Sequence, residues 1–535
     1  MSKKTFLKGA AVLGVAGLLV QVMGAIFRIP LGNIIGDEGM GYYQTAYPIY
    51  IFLLIFSTNG APAAISKMVS ERVALGKYSE AHRVFKLSFI LMTIIGFVAW
   101  AIIYFGANLI IKLTGAAPAS YYAIVAIAPA LLFVPIMAVY RGYFQGMQEM
   151  GPTATSQLIE QAIRVAVGLT LAFILLPKGI EYAAAGATFG ATIGPIVGVL
   201  ILILIYFKRK RKLFENIRID QTQGRESAGS ILKTLAIIAV PITIGVSIQP
   251  IMNLGDVAFV MRRLQDAGGV TGEEANALYG QLTGMAAPVI NVPMALALSM
   301  ALSMVPAIAA AVSTKDIEFL NINVRLGLRT AMIIGVPCSF GLMALSEPIM
   351  RLLYPLQIES AVSAASCLFV LSAGILFLCI AQTMAGVLQG LGKLGIAVWG
   401  IVGGFAVKCI ATHFLTGMDT LGVVGAAIGT VLGYITIALI NFIAVKKLTK
   451  VKFNIQLCVV KPFVSGFVML VLVLLTYKLC YSIIGNSLSC LLAIGVGVIA
   501  YCVMLLKLKA ISGDEIELLP KGAKLAKLFR KCRLI

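Results

Sequence analysis

The sequence predicts an all-α membrane protein that crosses the bilayer about fourteen times, as two parallel six-helix lobes plus two C-terminal helices. Three observations predict it: a composition poor in charge, long unbroken apolar runs, and basic residues gathered on one side of the runs. The 535-residue chain is 60% hydrophobic and 12% charged, with a mean hydropathy of +0.97. A soluble domain is about one quarter charged, so most of this chain never meets water. The runs lack the polar–apolar alternation of a membrane barrel, and helices satisfy their own backbone in lipid.

The expected spans are 6–30, 42–65, 86–111, 121–145, 154–176, 183–207, 233–261, 280–311, 326–347, 361–388, 395–415, 422–445, 461–484 and 488–506. The first follows a basic tip, Met1 to Lys8. It runs on to Phe27 with no clear cleavage site, which reads as a retained span rather than a signal peptide. Pro129, Pro135, Pro241, Pro250, Pro288, Pro293 and Pro337 fall inside spans and predict bent helices.

With the N-terminus placed in the cytoplasm, 34 of the 43 Lys and Arg residues fall in cytoplasmic segments. Outer segments hold six: Lys112, Lys178, Arg262, Arg263, Arg351 and Lys478. This asymmetry is the positive-inside pattern. It predicts an even number of crossings, with both termini inside a bacterial plasma membrane. The net charge of +21 therefore faces anionic membrane lipids rather than nucleic acid. The longest cytoplasmic segment, 208–232, opens with Lys208 to Lys212, five consecutive bases. It divides an N-lobe (1–207) from a C-lobe (233–445), followed by two further spans (446–506) and a basic tail (507–535).

An internal repeat supports that division. Arg141-Gly-Tyr-Phe-Gln-Gly-Met-Gln-Glu-Met-Gly151 matches Ala385-Gly-Val-Leu-Gln-Gly-Leu-Gly-Lys-Leu-Gly395. The same offset pairs Arg164 with Lys408, a mid-span base in each half. Gly186, Gly190 and Gly194 match Gly425, Gly429 and Gly433. Six spans per half is an even number, so the halves share one orientation.

Chemistry-bearing residues are sparse. Two histidines, His82 and His413, fall in no metal or catalytic motif, and no phosphate loop or nucleophile elbow is present. The nine cysteines lie in the second half, without a C-x-x-C pair, and read as small apolar side chains. No cofactor, metal or enzyme activity is expected. An ionisable residue in mid-bilayer costs about 2.5–3.5 kcal/mol, so the few present mark function. They are Arg28 in span one, Glu160 and Arg164 in span five, Asp256 (with Asn253 one turn before it) in span seven, and Lys408 in span eleven. Glu160 and Arg164 have the i, i+4 spacing of a local ion pair. Arg28 either snorkels to headgroups or faces cargo. Asp256 pairs with Arg262, with Arg263 or with Lys408. Lys408 has no acid within four residues, so its partner is Asp256 or anionic cargo. Bases projecting between two lobes suit an anionic substrate, which arginine grips bidentately.

Lys4-Thr-Phe-Leu-Lys-Gly9, Val22-Met-Gly24, Phe27-Arg28, Ile35-Gly-Asp-Glu-Gly39 and Gly60-Ala-Pro-Ala-Ala-Ile-Ser-Lys67 resemble the stage V sporulation protein B family of polysaccharide-export proteins. That family belongs to the multidrug/oligosaccharidyl-lipid/polysaccharide (MOP) flippase superfamily, which includes lipid II flippases. The resemblance implies export of an undecaprenyl-pyrophosphate-linked saccharide, lipid II above all, by alternating access. Its expected setting is cell-wall or spore-envelope synthesis, alongside cell-wall synthesis proteins. The chain departs from the family pattern in three places. Gln21 stands where the family commonly has Arg, no Arg lies between Tyr42 and Ile65, and Lys408 stands in span eleven where related flippases hold sodium with acids or amides. Two other readings are a drug/cation antiporter of the same superfamily, which would want acids along its path, and a non-transporting scaffold docking through its basic tail.

Overall fold

The computed structural model describes residues 3–58, 60–219, 226–418 and 420–510. Every regular element among them is helical. Helix α1 (Lys3–Thr58) is interrupted at Gly36, where φ is 67° and ψ −169°. Glycine alone adopts that conformation readily, because a Cβ would clash with its own backbone. The break turns one helical run into two crossings, the second continued by α2 (Gly60–Ala74). Next come α3 (Tyr78–Thr114), then α4 (Ser120–Ile127) and α5 (Ala130–Gly146), which form one crossing around Pro129. Helices α6 (Met150–Leu175), α7 (Ile180–Ile219) and α8 (Ala228–Gly268) follow.

Helix α9 (Gly272–Tyr279) opens on a capping box between Thr271 and Glu274 and leads through a π-helical turn into α10 (Ala287–Ser313). Helix α11 (Ile317–Ala344) begins where the Asp316 carboxylate accepts from the Phe319 N–H. The short α12 (Ser346–Leu353) precedes α13 (Ile358–Gly390), α14 (Leu394–Leu415), α15 (Val423–Thr449) and α16 (Lys461–Lys507). Helix α16 breaks at Gly485 (φ 71°, ψ −178°), as α1 does at Gly36.

Among the described residues, eleven helical runs are long and apolar enough to cross a membrane. Dividing α1 and α16 at their glycine breaks, and adding α8, gives the 14 expected crossings. Phe105, Leu204, Trp399 and Ile483 stand exposed along helix flanks, as lipid-facing side chains do where acyl chains replace water.

The chain forms two compact units, Met1–Gln265 with Val270–Gly280, and Asp266–Gly269 with Gln281–Ile535. Helix α8, expected to open the second lobe, packs in the first unit instead. Its backbone approaches α2 so closely that a Cβ on Gly60 would fall 2.4 Å from Ala239 O. Just before its start Glu226 pairs with Arg72 of α2, and near its end Gln265 donates to Gly115 O at 2.6 Å. The expected linker 208–232 is partly helical, since α7 continues to Ile219. Residues 220–225 and most of the tail, from 511 on, lie outside the described residues.

The repeat read from sequence recurs as packing inside each unit. After α5, Met147, Gln148 and Glu149 donate to Tyr143 O, Gln145 O and Phe144 O. After α13, the equivalent Leu391, Gly392 and Lys393 donate to Val387 O, Gln389 O and Leu388 O. Gln148 and Gly392 both take positive φ, 62° and 71°. The paired glycines make equivalent approaches too. A Cβ on Gly146 would meet Val69 of α2, and one on Gly390 would meet Ile308 of α10, each at 2.6 Å. Gly194 faces Glu160 O and the Arg164 Cβ, while Gly433 faces Gly404 O and the Lys408 Cβ. Thus α6 and α7 pack in the first unit as α14 and α15 do in the second.

A candidate anion-binding cluster in the first unit

Three helices converge on the mid-span charges of the first unit. The first half of α1 brings Phe27 and Arg28, and its second half brings Tyr43, Tyr47 and Tyr50. The three tyrosines, spaced four and three residues apart, share one helical face. Tyr43 and Tyr47 stack with centroids 5.7 Å apart, and Tyr50 follows at 6.2 Å from Tyr47. The guanidinium of Arg28 lies 5.9 Å from the Tyr47 ring centroid, within cation–π range. Tyr43 feels both Arg28 and Arg164, and Arg164 feels all three tyrosines. The tyrosines therefore line the way from one arginine to the other.

Glu160 of α6 is shared by two arginines. Arg164, one turn on, donates from Nη2 to Oε1 at 3.2 Å. Arg141, in the last turns of α5, donates from Nη2 to Oε2 at 2.9 Å. Arg141 is itself aimed by Ser156, whose Oγ accepts from Arg141 Nε at 2.9 Å and donates to Thr153 O. All three charged side chains are largely buried, at 14–15% exposure. Helix α7 closes the back with Gly194, where a Cβ would crowd Glu160 O at 2.7 Å, and with Gly198, where one would meet the Glu160 Cβ at an ordinary 3.6 Å. Two buried polar atoms of the cluster have no hydrogen-bond partner among the described residues, Arg164 Nε and the Tyr50 hydroxyl.

Three arginines against one carboxylate leave this region with two formal positive charges. In low dielectric such an excess attracts an anion strongly. Planar guanidinium groups flanked by phenol hydroxyls offer the donors that phosphate oxygens accept.

Of the residues singled out from sequence, Arg28, Glu160 and Arg164 come together here. Asp256 and Asn253 lie on α8 of the first unit, Asp256 half-buried and Asn253 exposed. Lys408 is half-buried on α14 of the second unit. The repeat has diverged around it. Gly404 stands at the equivalent of Glu160 and Ala385 at the equivalent of Arg141, and α14 carries no acid. Arg141 and the three tyrosines were not among the residues singled out from sequence. The tyrosines' helical spacing was a legible signal. The reach of Arg141 to a carboxylate 19 residues away was not. Among the described residues no group of three or more His, Cys, Asp or Glu side chains could hold a metal ion.

Comparisons with known proteins agree with this architecture. Residues 6–312 match the family described as Polysaccharide biosynthesis protein. The chain is 30% identical to the uncharacterized membrane protein YabM of Bacillus subtilis, covering 98% of this chain and 96% of the relative. It is 28% identical to stage V sporulation protein B of the same organism, covering 97% and 98%. Identity to its lipid II flippase MurJ is 27%, covering 84% and 83%. A solved structure titled lipid II flippase MurJ, inward closed conformation, superimposes with a TM-score of 0.69. It covers 92% of this chain and 98% of the other at 16% identity, which shows the fold. The chain therefore belongs to the polysaccharide biosynthesis protein family, as a multi-pass membrane protein.

Proposed function

We propose that this protein is a flippase that moves an undecaprenyl-pyrophosphate-linked saccharide, lipid II foremost, across the plasma membrane by alternating access. The observation that carries the reading is the net-positive cluster in which Arg141 and Arg164 share a single carboxylate, Glu160, with Arg28 over the nearby Tyr47 ring. A pyrophosphate headgroup has the charge and the acceptor oxygens for it. The relatives named for lipid II transport and for sporulation support the same cargo class and a role in cell-wall or spore-envelope synthesis. Arg28 and Arg164 engage the pyrophosphate. The N-terminus and the basic segments face the cytoplasm and its anionic lipids.

The superfamily fold also serves multidrug transporters. A cation carrier would need an excess of acids along its path, and the excess here is basic. The test is reconstitution of the full chain into liposomes carrying fluorescent lipid II, or undecaprenyl pyrophosphate bearing a different saccharide. Protein-dependent transfer between leaflets is expected, fastest for lipid II. Export of an organic cation with no movement of any lipid-linked saccharide would replace this reading with the antiporter. In cells, depletion should leave the cognate lipid-linked intermediate accumulating on the cytoplasmic face.

A further inference from the structure

We propose that Glu160 is a built-in counter-anion, which occupies Arg141 and Arg164 in the unloaded protein and yields them to a phosphate group of the cargo. The inference rests on the reading of the cargo as a phosphate-bearing lipid, and it assigns this carboxylate a place in loading and release.

Glu160 does what a bound anion would do. Each carboxylate oxygen takes one arginine, Oε1 from Arg164 at 3.2 Å and Oε2 from Arg141 at 2.9 Å. Adjacent phosphate oxygens are spaced much like the two oxygens of a carboxylate, so one group can take the place of the other on the same two donors. The two arginines are supplied by different helices, Arg141 by α5 and Arg164 by α6. Ser156 holds Arg141 through Nε, independently of the carboxylate. Arg141 therefore stays aimed when Glu160 leaves.

The site also has unused capacity. Arg164 Nε and the hydroxyl of Tyr50, a residue 1% exposed, are buried without a hydrogen-bond partner among the described residues. A carboxylate has only two oxygens, and both already accept from guanidinium Nη2 groups. A doubly esterified pyrophosphate has four non-bridging oxygens, two on each phosphorus. Buried polar groups without partners are costly, and an anion with more oxygens than Glu160 could satisfy them. Arg141 from α5 and Arg164 from α6 hold the carboxylate, Tyr43, Tyr47 and Tyr50 of α1 lie about Arg164, and Arg28 lies over Tyr47. Helix α7 places Gly194 and Gly198 next to it.

A resident competitor has a definite consequence. It weakens anion binding, and it speeds release because the arginines have a partner to return to. Removing its charge should tighten binding and slow turnover, the opposite of what loss of a substrate-binding residue does. A carboxylate that merely ties α5 to α6 would give no such tightening.

The test is titration of inorganic pyrophosphate into the full-length protein in nanodiscs, read by calorimetry. Glu160→Gln should bind about tenfold more tightly than the unmodified protein, equivalent to about 1.4 kcal/mol. Its transfer of fluorescent lipid II should be slower at saturating substrate. Arg141→Gln alone should bind more weakly, and adding Glu160→Gln to it should restore tighter binding. That second comparison serves if Glu160→Gln alone folds poorly. Pyrophosphate affinity that is unchanged or weaker on loss of the Glu160 charge, in both backgrounds, would overturn the inference. The proposed function is tested separately, by lipid transfer in the unmodified protein. Tightened binding without lipid transfer would remove the cargo assignment and leave the counter-anion, and lipid transfer without tightening would do the reverse.

Discussion

Arg141 of α5 and Glu160 of α6 meet through one hydrogen bond of 2.9 Å, with both side chains 14% exposed. The contact joins two successive helices in the middle of the first unit's charges. Because Arg164 also holds Glu160, the three behave as one network and their energies do not add. Arg141→Ala should lower stability by about 1.5–3 kcal/mol, the range for a hydrogen bond to a charged group. Thermal unfolding in detergent measures it. The cycle of Arg141→Gln and Glu160→Gln should show a coupling of roughly 0.5–3 kcal/mol. Strict additivity would mean that the contact does not persist in solution.

Arg28 lies over the Tyr47 ring and shares Tyr43 with Arg164. Arg28→Ala is expected to abolish complementation of a flippase-depleted strain at normal protein levels. Arg28→Lys should keep part of the activity, because a point charge replaces a planar fork. Full function of the alanine variant would show instead that Arg28 only snorkels to headgroups.

The break at Gly36 predicts a stability cost that lipid exposure does not explain. At φ 67° and ψ −169°, alanine there should cost about 1–3 kcal/mol. Gly395, inside helical backbone with open space around it, is the control, where alanine should be neutral or stabilising by up to about 1 kcal/mol. Equal effects at both positions would contradict the strained geometry.

Orientation is open to labelling. In a cysteine-free background, a cysteine at Gln223 should react with an impermeant reagent only from the cytoplasm. One at Gly268, at the end of α8, should react only from outside. Reaction of both from one side would break the alternation on which the crossing count depends.

Ion coupling is the last expectation. Helix α14 carries Lys408 and no acid. Lipid transfer should therefore persist when potassium replaces sodium on both sides, while Lys408→Met should reduce it and Lys408→Arg should retain it. A rate that follows sodium concentration would refute the first expectation, and full activity of Lys408→Met the second.

The crossings, the repeat and the charged residues of spans one and five were legible in the chain. In lipid each helix must satisfy its own backbone, so apolar length counts crossings. Close helix approach admits only a hydrogen at positions such as Gly146 and Gly390, so the repeat survives as a glycine pattern. Glu160 and Arg164, one helical turn apart, could be paired from their spacing alone. Tertiary packing decided the rest. Helix α8 joined the first unit because Gly60 lets it approach α2 and Gln265 reaches Gly115, contacts that hydropathy does not encode. Arg141 became a site residue because a long side chain near the end of one helix reaches a carboxylate in the next. Local periodicity describes which face a residue occupies, and only the folded chain determines what stands opposite.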